Sequence, residues 1–296
     1  MDRPLRIGTR GSPLALVQAH MVADALRAGH GWPEAAVEIV PITTSGDRIQ
    51  DRPLAEVGGK ALWTKELDRC LMEGETDLSV HSMKDVETVR PDALTIAAML
   101  ERADPRDRLV GAESLEALAR GARIGTSSPR RSAQLLARRP DLEIVTMRGN
   151  VQTRLAKLER GEADATLLAA AGLDRIGLSH VGAVIEGMIP APSQGAVGIE
   201  ILADRTGIQA LVAPIDHEAT HRCIAAERAF LAALGGDCHS AVAAHAECRE
   251  QGVWLRAQIL SRDGAEVHGG EGEDPAALAR ALLAVASPEL RAMFAG

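Results

Sequence analysis

The chain has no tyrosine, and aromatic residues make up only 2% of its 296 positions: Trp32, Trp63, Trp254, Phe230 and Phe294. So few rings leave little to stack on successive bases, which argues against a single-stranded nucleic-acid partner. Positive charge is also in deficit. At a net charge of −8 the protein repels polyanions, so any anion site must be built locally from arginines. The four cysteines, Cys70, Cys223, Cys238 and Cys248, form no CxxC pair and no disulfide framework, which fits a reducing compartment. Met1-Asp2-Arg3-Pro4 lacks a signal-like apolar region and no apolar run reaches membrane-spanning length. The expectation is a cytoplasmic protein without a membrane partner. Gly58-Gly59-Lys60 lacks the following Ser or Thr of a phosphate loop and reads instead as part of a flexible lid carrying Lys60 and Trp63.

What the chain does have is a repeat. Arg6-Ile7-Gly8-Thr9-Arg10-Gly11-Ser12-Pro13 returns as Arg123-Ile124-Gly125-Thr126-Ser127-Ser128-Pro129-Arg130. Val37-Glu38-Ile39-Val40 is answered by Leu142-Glu143-Ile144-Val145, and Gly74-Glu75-Thr76-Asp77 by Gly161-Glu162-Ala163-Asp164. Three echoes in the same order imply two domains on a common plan. Strands are expected at 5–9, 37–44, 77–82 and 94–100, then at 122–126, 142–147 and 164–169. The intervening helices start at Pro13, behind a Ser12 N-cap, at 62, at Pro129 and at Val151. Residues 45–61 show no period and many glycines and prolines, as a lid would. Polar crossings at 101–107 and near Pro190 to Gly195 suit a hinge between two lobes.

After Pro214 the pattern changes to a helix over 217–234 ending at Gly235-Gly236, strands over 241–248 and 253–260, and a helix over 275–286. The fold class is therefore α/β: two lobes related by the internal repeat and a smaller α+β C-terminal domain. The expected domains are residues 1–100 with 196–213, residues 101–195, and residues 214–296. No unclaimed apolar helix face stands out, so a monomer is expected.

Candidate chemistry collects at the loops where strands end. Arg130 and Arg131 sit in a helix's first turn, against the positive end of its dipole, behind Ser127 and Ser128. Backbone N–H groups, hydroxyls and two guanidiniums would converge there on one anion. Arg10, Arg148 and Arg154 fall at comparable strand or helix ends, and Arg175 lies near the end of another helix. Arginines spread over several loops suit planar carboxylates better than one phosphate. Lys84-Asp85 follows a buried strand at the sheet edge where open α/β sheets bind ligands, and an aspartate among arginines stays ionised. Cys238, flanked by Asp237 and His239 in a loop, is the candidate nucleophile or attachment point. His217, His221, Cys223, Cys238 and His239 complete no ligand spacing, so no metal is expected.

Several motifs together resemble the porphobilinogen deaminase (hydroxymethylbilane synthase) family. They are Ile7-Gly8-Thr9-Arg10-Gly11-Ser12-Pro13-Leu14-Ala15-Leu16, Val57-Gly58-Gly59-Lys60, Val80-His81-Ser82-Met83-Lys84-Asp85, Gly125-Thr126-Ser127-Ser128-Pro129-Arg130-Arg131, Met147-Arg148-Gly149-Asn150-Val151 and Gln194-Gly195-Ala196-Val197-Gly198. The likeness runs nearly end to end. It implies two lobes like periplasmic binding proteins, a third domain, and a covalent dipyrromethane cofactor on Cys238. The implied activity joins four porphobilinogens head to tail, with Asp85 catalytic. Lys84, Ser127, Ser128, Arg130 and Arg131 are then expected to hold the cofactor, and Arg10, Ser12, Arg148, Arg154, Arg175 and Gln194 the substrate. The alternative is a two-lobed protein that clamps a carboxylate ligand and does no chemistry. A mass heavier than the sequence by a dipyrrole separates the two.

Overall fold

The computed structural model describes residues 3–44, 63–237 and 240–294. The expected lid, with Lys60, and Cys238 lie outside these residues. The chain divides into two compact units, Met1–Ala103 with Ala196–His221 and Asp104–Gly195 with Arg222–Gly296.

The first unit is built on a five-stranded sheet. β1 (Leu5–Arg10), β2 (Val37–Ile42), β3 (Leu78–Ser82), β4 (Leu94–Met99) and β10 (Val197–Leu202) stand in the order β2-β1-β3-β10-β4, with β10 antiparallel to its neighbours. The second unit repeats this plan. β5 (Asp107–Val110), β6 (Arg123–Gly125), β7 (Glu143–Val145), β8 (Ala165–Ala169) and β9 (Ala183–Val184) take the order β7-β6-β8-β5-β9, and β5 is the antiparallel member. The repeat extends to single bonds. Asp77 accepts from the Arg6 backbone N–H at 2.9 Å, and Asp164 accepts from that of Arg123 at 2.7 Å.

Local chemistry starts and stops the elements. The helix Pro13–His30 begins with Ser12, whose side chain accepts from the Ala15 N–H, and ends at Gly31, which takes φ +65°. Its buried residues Ala19, Val22, Ala23 and Leu26 fall on one helical face and join the sheet's core. The helix Lys65–Met72 buries Leu67 and Leu71, each worth about 1.5–3 kcal/mol when removed from water.

The second unit also holds a three-stranded antiparallel sheet of β11 (Val242–Arg249), β12 (Gly252–Leu260) and β13 (Val267–Gly272). Its own core gathers Phe230, Leu234, Leu255, Ile259 and Leu282 from the sheet and the helices Glu218–Leu234 and Pro275–Val285. Residues 214–221 were expected with this C-terminal domain but group with the first unit. Asp216 accepts from the Met99 N–H at 2.7 Å, His217 N–H donates to the Met99 carbonyl at 2.7 Å, and Thr220 accepts from Arg102 N–H at 3.0 Å.

Candidate functional site

In the first unit, β1 delivers Arg10 and its following turn delivers Ser12. β3 runs into the short 3-10 turn Met83–Asp85, which presents Lys84 and Asp85. Arg10, Ser12, Trp63, Ser82 and Asp85 line one cavity of about 50 Å³. The Arg10 guanidinium lies over the Trp63 ring, 3.9 Å from its centroid. The Ser12 hydroxyl caps its helix, and Gln18 Nε2 donates to Ser82 Oγ at 2.8 Å on the cavity wall. Met83 fills the space beside Gly198, where a β-carbon would come within 2.1 Å of its sulfur, so β10 packs tightly under the Asp85 turn.

Behind this cavity lies a charged cluster that the sequence reading did not anticipate. Arg90 donates to Glu200 at 2.8 Å and 3.0 Å, and also to Asp68 and Glu87. His81 Nε2 meets Glu200 Oε2 at 3.1 Å. Burial alone would push the Glu200 carboxyl up, but His81 and Arg90 outweigh it and bring it down to about 2. Asp68 goes the other way: burial, reinforced by the charge of Glu200, raises its carboxyl above the usual range. A signal for Glu200 was present, since a lone carboxylate inside Val197-Gly198-Ile199-Glu200-Ile201-Leu202 has to find a cation.

In the second unit, Ser128 caps the helix Pro129–Arg138 by accepting from the Arg131 N–H, with exposed Ser127 just before it. Arg130 and Arg131 were expected to point jointly at an external anion. Both are buried instead, and their guanidiniums close on the two oxygens of Asp107, each at 2.7 Å. Arg131 also donates to the Leu167 carbonyl at 2.9 Å, and Arg130 to Gln134 and the Ile189 carbonyl. Gln194 joins the same carboxylate at 2.8 Å and the Pro105 carbonyl at 2.6 Å. Burial opposes ionisation of Asp107, yet the two guanidiniums hold its carboxyl well below the usual range. Two cations on one anion leave a positive excess at the root of the Ser127-Ser128 loop. The buried Nε atoms of Arg130 and Arg131 have no hydrogen-bond partner.

Arg148 follows buried Met147, whose side chain packs where a β-carbon on Gly125 would come within 2.5 Å. Arg154 Nε donates to the Gly149 carbonyl at 3.0 Å, which ties it to the Arg148 loop. Arg175 donates to the Gly195 carbonyl at 2.8 Å and leaves its own Nε unpartnered, while burial lowers its pKa from the ordinary guanidinium value. His217 and His221 engage Thr220 and Asp216. Among the described residues no group of three or more His, Cys, Asp or Glu is arranged to hold a metal, and no helix is long and apolar enough to cross a membrane.

The family model described as "Porphobilinogen deaminase, dipyromethane cofactor binding domain" matches residues 5–210, and "Porphobilinogen deaminase, C-terminal domain" matches residues 221–287. A protein of Sphingopyxis alaskensis named porphobilinogen deaminase is 59% identical over 307 residues, covering 99% of this chain and 98% of that one. One of the same name from Paracoccus denitrificans is 49% identical, covering 98% and 94%. Among solved structures, a TRAP periplasmic solute binding protein from Desulfovibrio salexigens matches at 11% identity with a TM-score of 0.44, covering 74% of each chain.

Proposed function

The chain belongs to the porphobilinogen deaminase family, and from that premise we propose how its own residues carry the family's reaction. The enzyme is a transferase of tetrapyrrole and haem biosynthesis. It joins four porphobilinogens head to tail on a dipyrromethane primer and releases ammonia and hydroxymethylbilane. The observation that carries the assignment of roles is the sharing of one cavity by Asp85, Arg10 and Ser12. A bare carboxyl-clamping protein is not favoured, because both full-length relatives are named as the enzyme.

Each porphobilinogen brings an acetate and a propionate. Arg10 and Ser12 bind one carboxylate beside Asp85, and Arg148, Arg154 and Arg175 bind others through charge-assisted hydrogen bonds. Loss of ammonia from the aminomethyl group leaves an electron-poor pyrrole with positive charge on its ring nitrogen. The Asp85 carboxylate stabilises that charge and manages the proton lost from the coupling carbon. Trp63, stacked on Arg10, shields that side of the cavity, and Lys60 is assigned to the lid.

The second unit fits a group bearing several carboxylates. Its Arg–Asp–Arg triad is positive in sum, and unpartnered guanidinium N–H groups remain beside it. Ser127, Ser128, Arg131 and Lys84 are assigned to the cofactor's carboxylates. Arg130 and Gln194 support them through Asp107, which sets the pose of Arg131. When bound, the dipyrromethane supplies the pyrrole carbon on which the chain grows. Cys238 is proposed to hold it through a thioether. A protein acting on a small molecule without a nucleic-acid partner accords with the charge of −8 and the scarcity of rings, and a cytoplasmic location with four cysteines that form no disulfide framework.

Intact-mass measurement followed by peptide mapping tests this reading. Purified enzyme is expected to exceed its sequence mass by a dipyrrole located on the Cys238 peptide, and Cys238→Ser to lack it. Active enzyme with an unmodified Cys238 would overturn the attachment.

A further inference from the structure

Thr64 is 1% exposed and lines the cavity that Asp85 and Arg10 share. Its hydroxyl donates to the Glu87 carboxylate, 3.0 Å from one oxygen and 2.9 Å from the other, and accepts from Arg90 Nη1 at 3.2 Å. Arg90 also grips Glu87 directly and is itself anchored by Glu200 and Asp68. Thr64 therefore stands at a fixed point of the molecule, with a rigid ion cluster behind it.

What stands on either side gives that fixed point a use. One residue before Thr64 is Trp63, whose ring carries the Arg10 guanidinium at 3.9 Å. Two residues before Glu87 is Asp85. A ring stack tolerates sliding, because its attraction varies slowly with lateral offset, whereas a hydrogen bond of this kind fails within a few tenths of an ångström. The Thr64 bonds fix the backbone from which Trp63 projects, and with it the ring on which the Arg10 guanidinium lies.

We propose that Thr64, Glu87 and Arg90 form a positioning clamp that sets the distance between the Trp63–Arg10 stack and Asp85. It thereby fixes where a substrate carboxylate sits relative to the catalytic carboxylate. The proposal rests on the assignment of Arg10 and Asp85 given above. None of the three clamp residues touches the reacting atoms; each acts through the pieces of chain it joins.

The test uses holoenzyme in which Trp32 and Trp254 are replaced by Phe, so that Trp63 alone fluoresces. Thr64→Val keeps the shape and removes the hydroxyl, and Thr64→Ser keeps the hydroxyl. With Thr64→Val, acrylamide is expected to quench Trp63 more strongly and KM for porphobilinogen to rise roughly three- to tenfold, with kcat changed by less than about twofold. Thr64→Ser is expected to match the parent in all three. Arg10→Gln, in the same background, is the control for the underlying assignment and is expected to raise KM. If Arg10→Gln raises KM while Thr64→Val alters neither quenching nor KM, the clamp is refuted and the site reading stands. If Arg10→Gln leaves KM unchanged, the site reading itself fails and takes the clamp with it. A Thr64→Ser enzyme as impaired as Thr64→Val also refutes the clamp, since the hydroxyl would then be irrelevant.

Discussion

Replacing Asp107 by Asn probes the buried triad with almost no change of shape. The wild-type carboxylate receives one guanidinium on each oxygen at 2.7 Å and the Gln194 amide at 2.8 Å. Asp107, Arg130 and Arg131 are 2%, 3% and 6% exposed, so water does little to screen them. Asparagine keeps one acceptor but turns an NH2 towards a guanidinium donor, and it leaves two buried cations without a counter-charge. Removing one partner of a buried ion pair typically costs about 3–5 kcal/mol, and that is the expected loss here. The assay is urea unfolding followed by circular dichroism and by an unfolding probe placed in the second unit, because one transition for both units is not assured. Acid gives an independent arm. The native pKa of Asp107 is depressed, so its stabilisation is complete above the unfolded-state value near 4 and is lost as pH falls through the native value. The wild-type advantage over Asp107→Asn should therefore shrink below about pH 4. A triple replacement, Asp107→Leu with Arg130→Met and Arg131→Met, should recover much of the stability yet load no cofactor. A loss below about 1 kcal/mol for Asp107→Asn at neutral pH would refute the reasoning, since that is the range of an exposed pair.

Asp85→Ala is expected to lower kcat about 10²–10³-fold in a folded protein, with Asp85→Glu retaining more; a loss under about tenfold would assign Asp85 a structural role instead. Native thiol labelling should modify exposed Cys248 first. Buried Cys223 and Cys70 should react only on unfolding, and burial with a hydrogen bond to Glu75 pushes the Cys70 thiol up to about 11. Rapid labelling of Cys70 in the native state would contradict its burial.

Much of the local structure around the first unit's candidate site was legible because its cues are local. Ser12 before Pro13 announces a capped helix whatever the tertiary context, and Asp85 follows an apolar strand that has to end at a sheet edge. The repeat was readable for the same reason, down to the aspartates Asp77 and Asp164 that tie back to β1 and β6. What stayed hidden depends on partners distant in sequence. Asp107 read as the end of a polar crossing, yet it opens β5 and meets arginines more than twenty positions later. Those arginines were correctly placed in a helix's first turn, but their direction is set by Asp107, which no local pattern reveals. β13 was missed because Val267-His268-Gly269-Gly270-Glu271-Gly272 has little strand propensity. The glycines are there for packing: a β-carbon on Gly270 would come within 2.9 Å of Leu278 in the helix above.

The place of β10 in the first sheet bears on how this protein is made. Among the described residues β4 pairs with no strand but β10, and β10 is separated from it by the whole of the second lobe. A nascent chain that has emerged only as far as residue 103 has β1, β2 and β3 to assemble, but it leaves β3 as an unsealed edge and β4 with nothing to bond. The first lobe must therefore wait, part-built, while nearly a hundred further residues are synthesised, and during that wait its exposed strand edge is an invitation to wrong pairing. The same late strand carries Glu200, which accepts from Arg90 and meets His81 behind the cavity. Closing the sheet and completing the ion cluster behind the cavity are consequently one event, so the scaffold and the wall of the pocket are finished together.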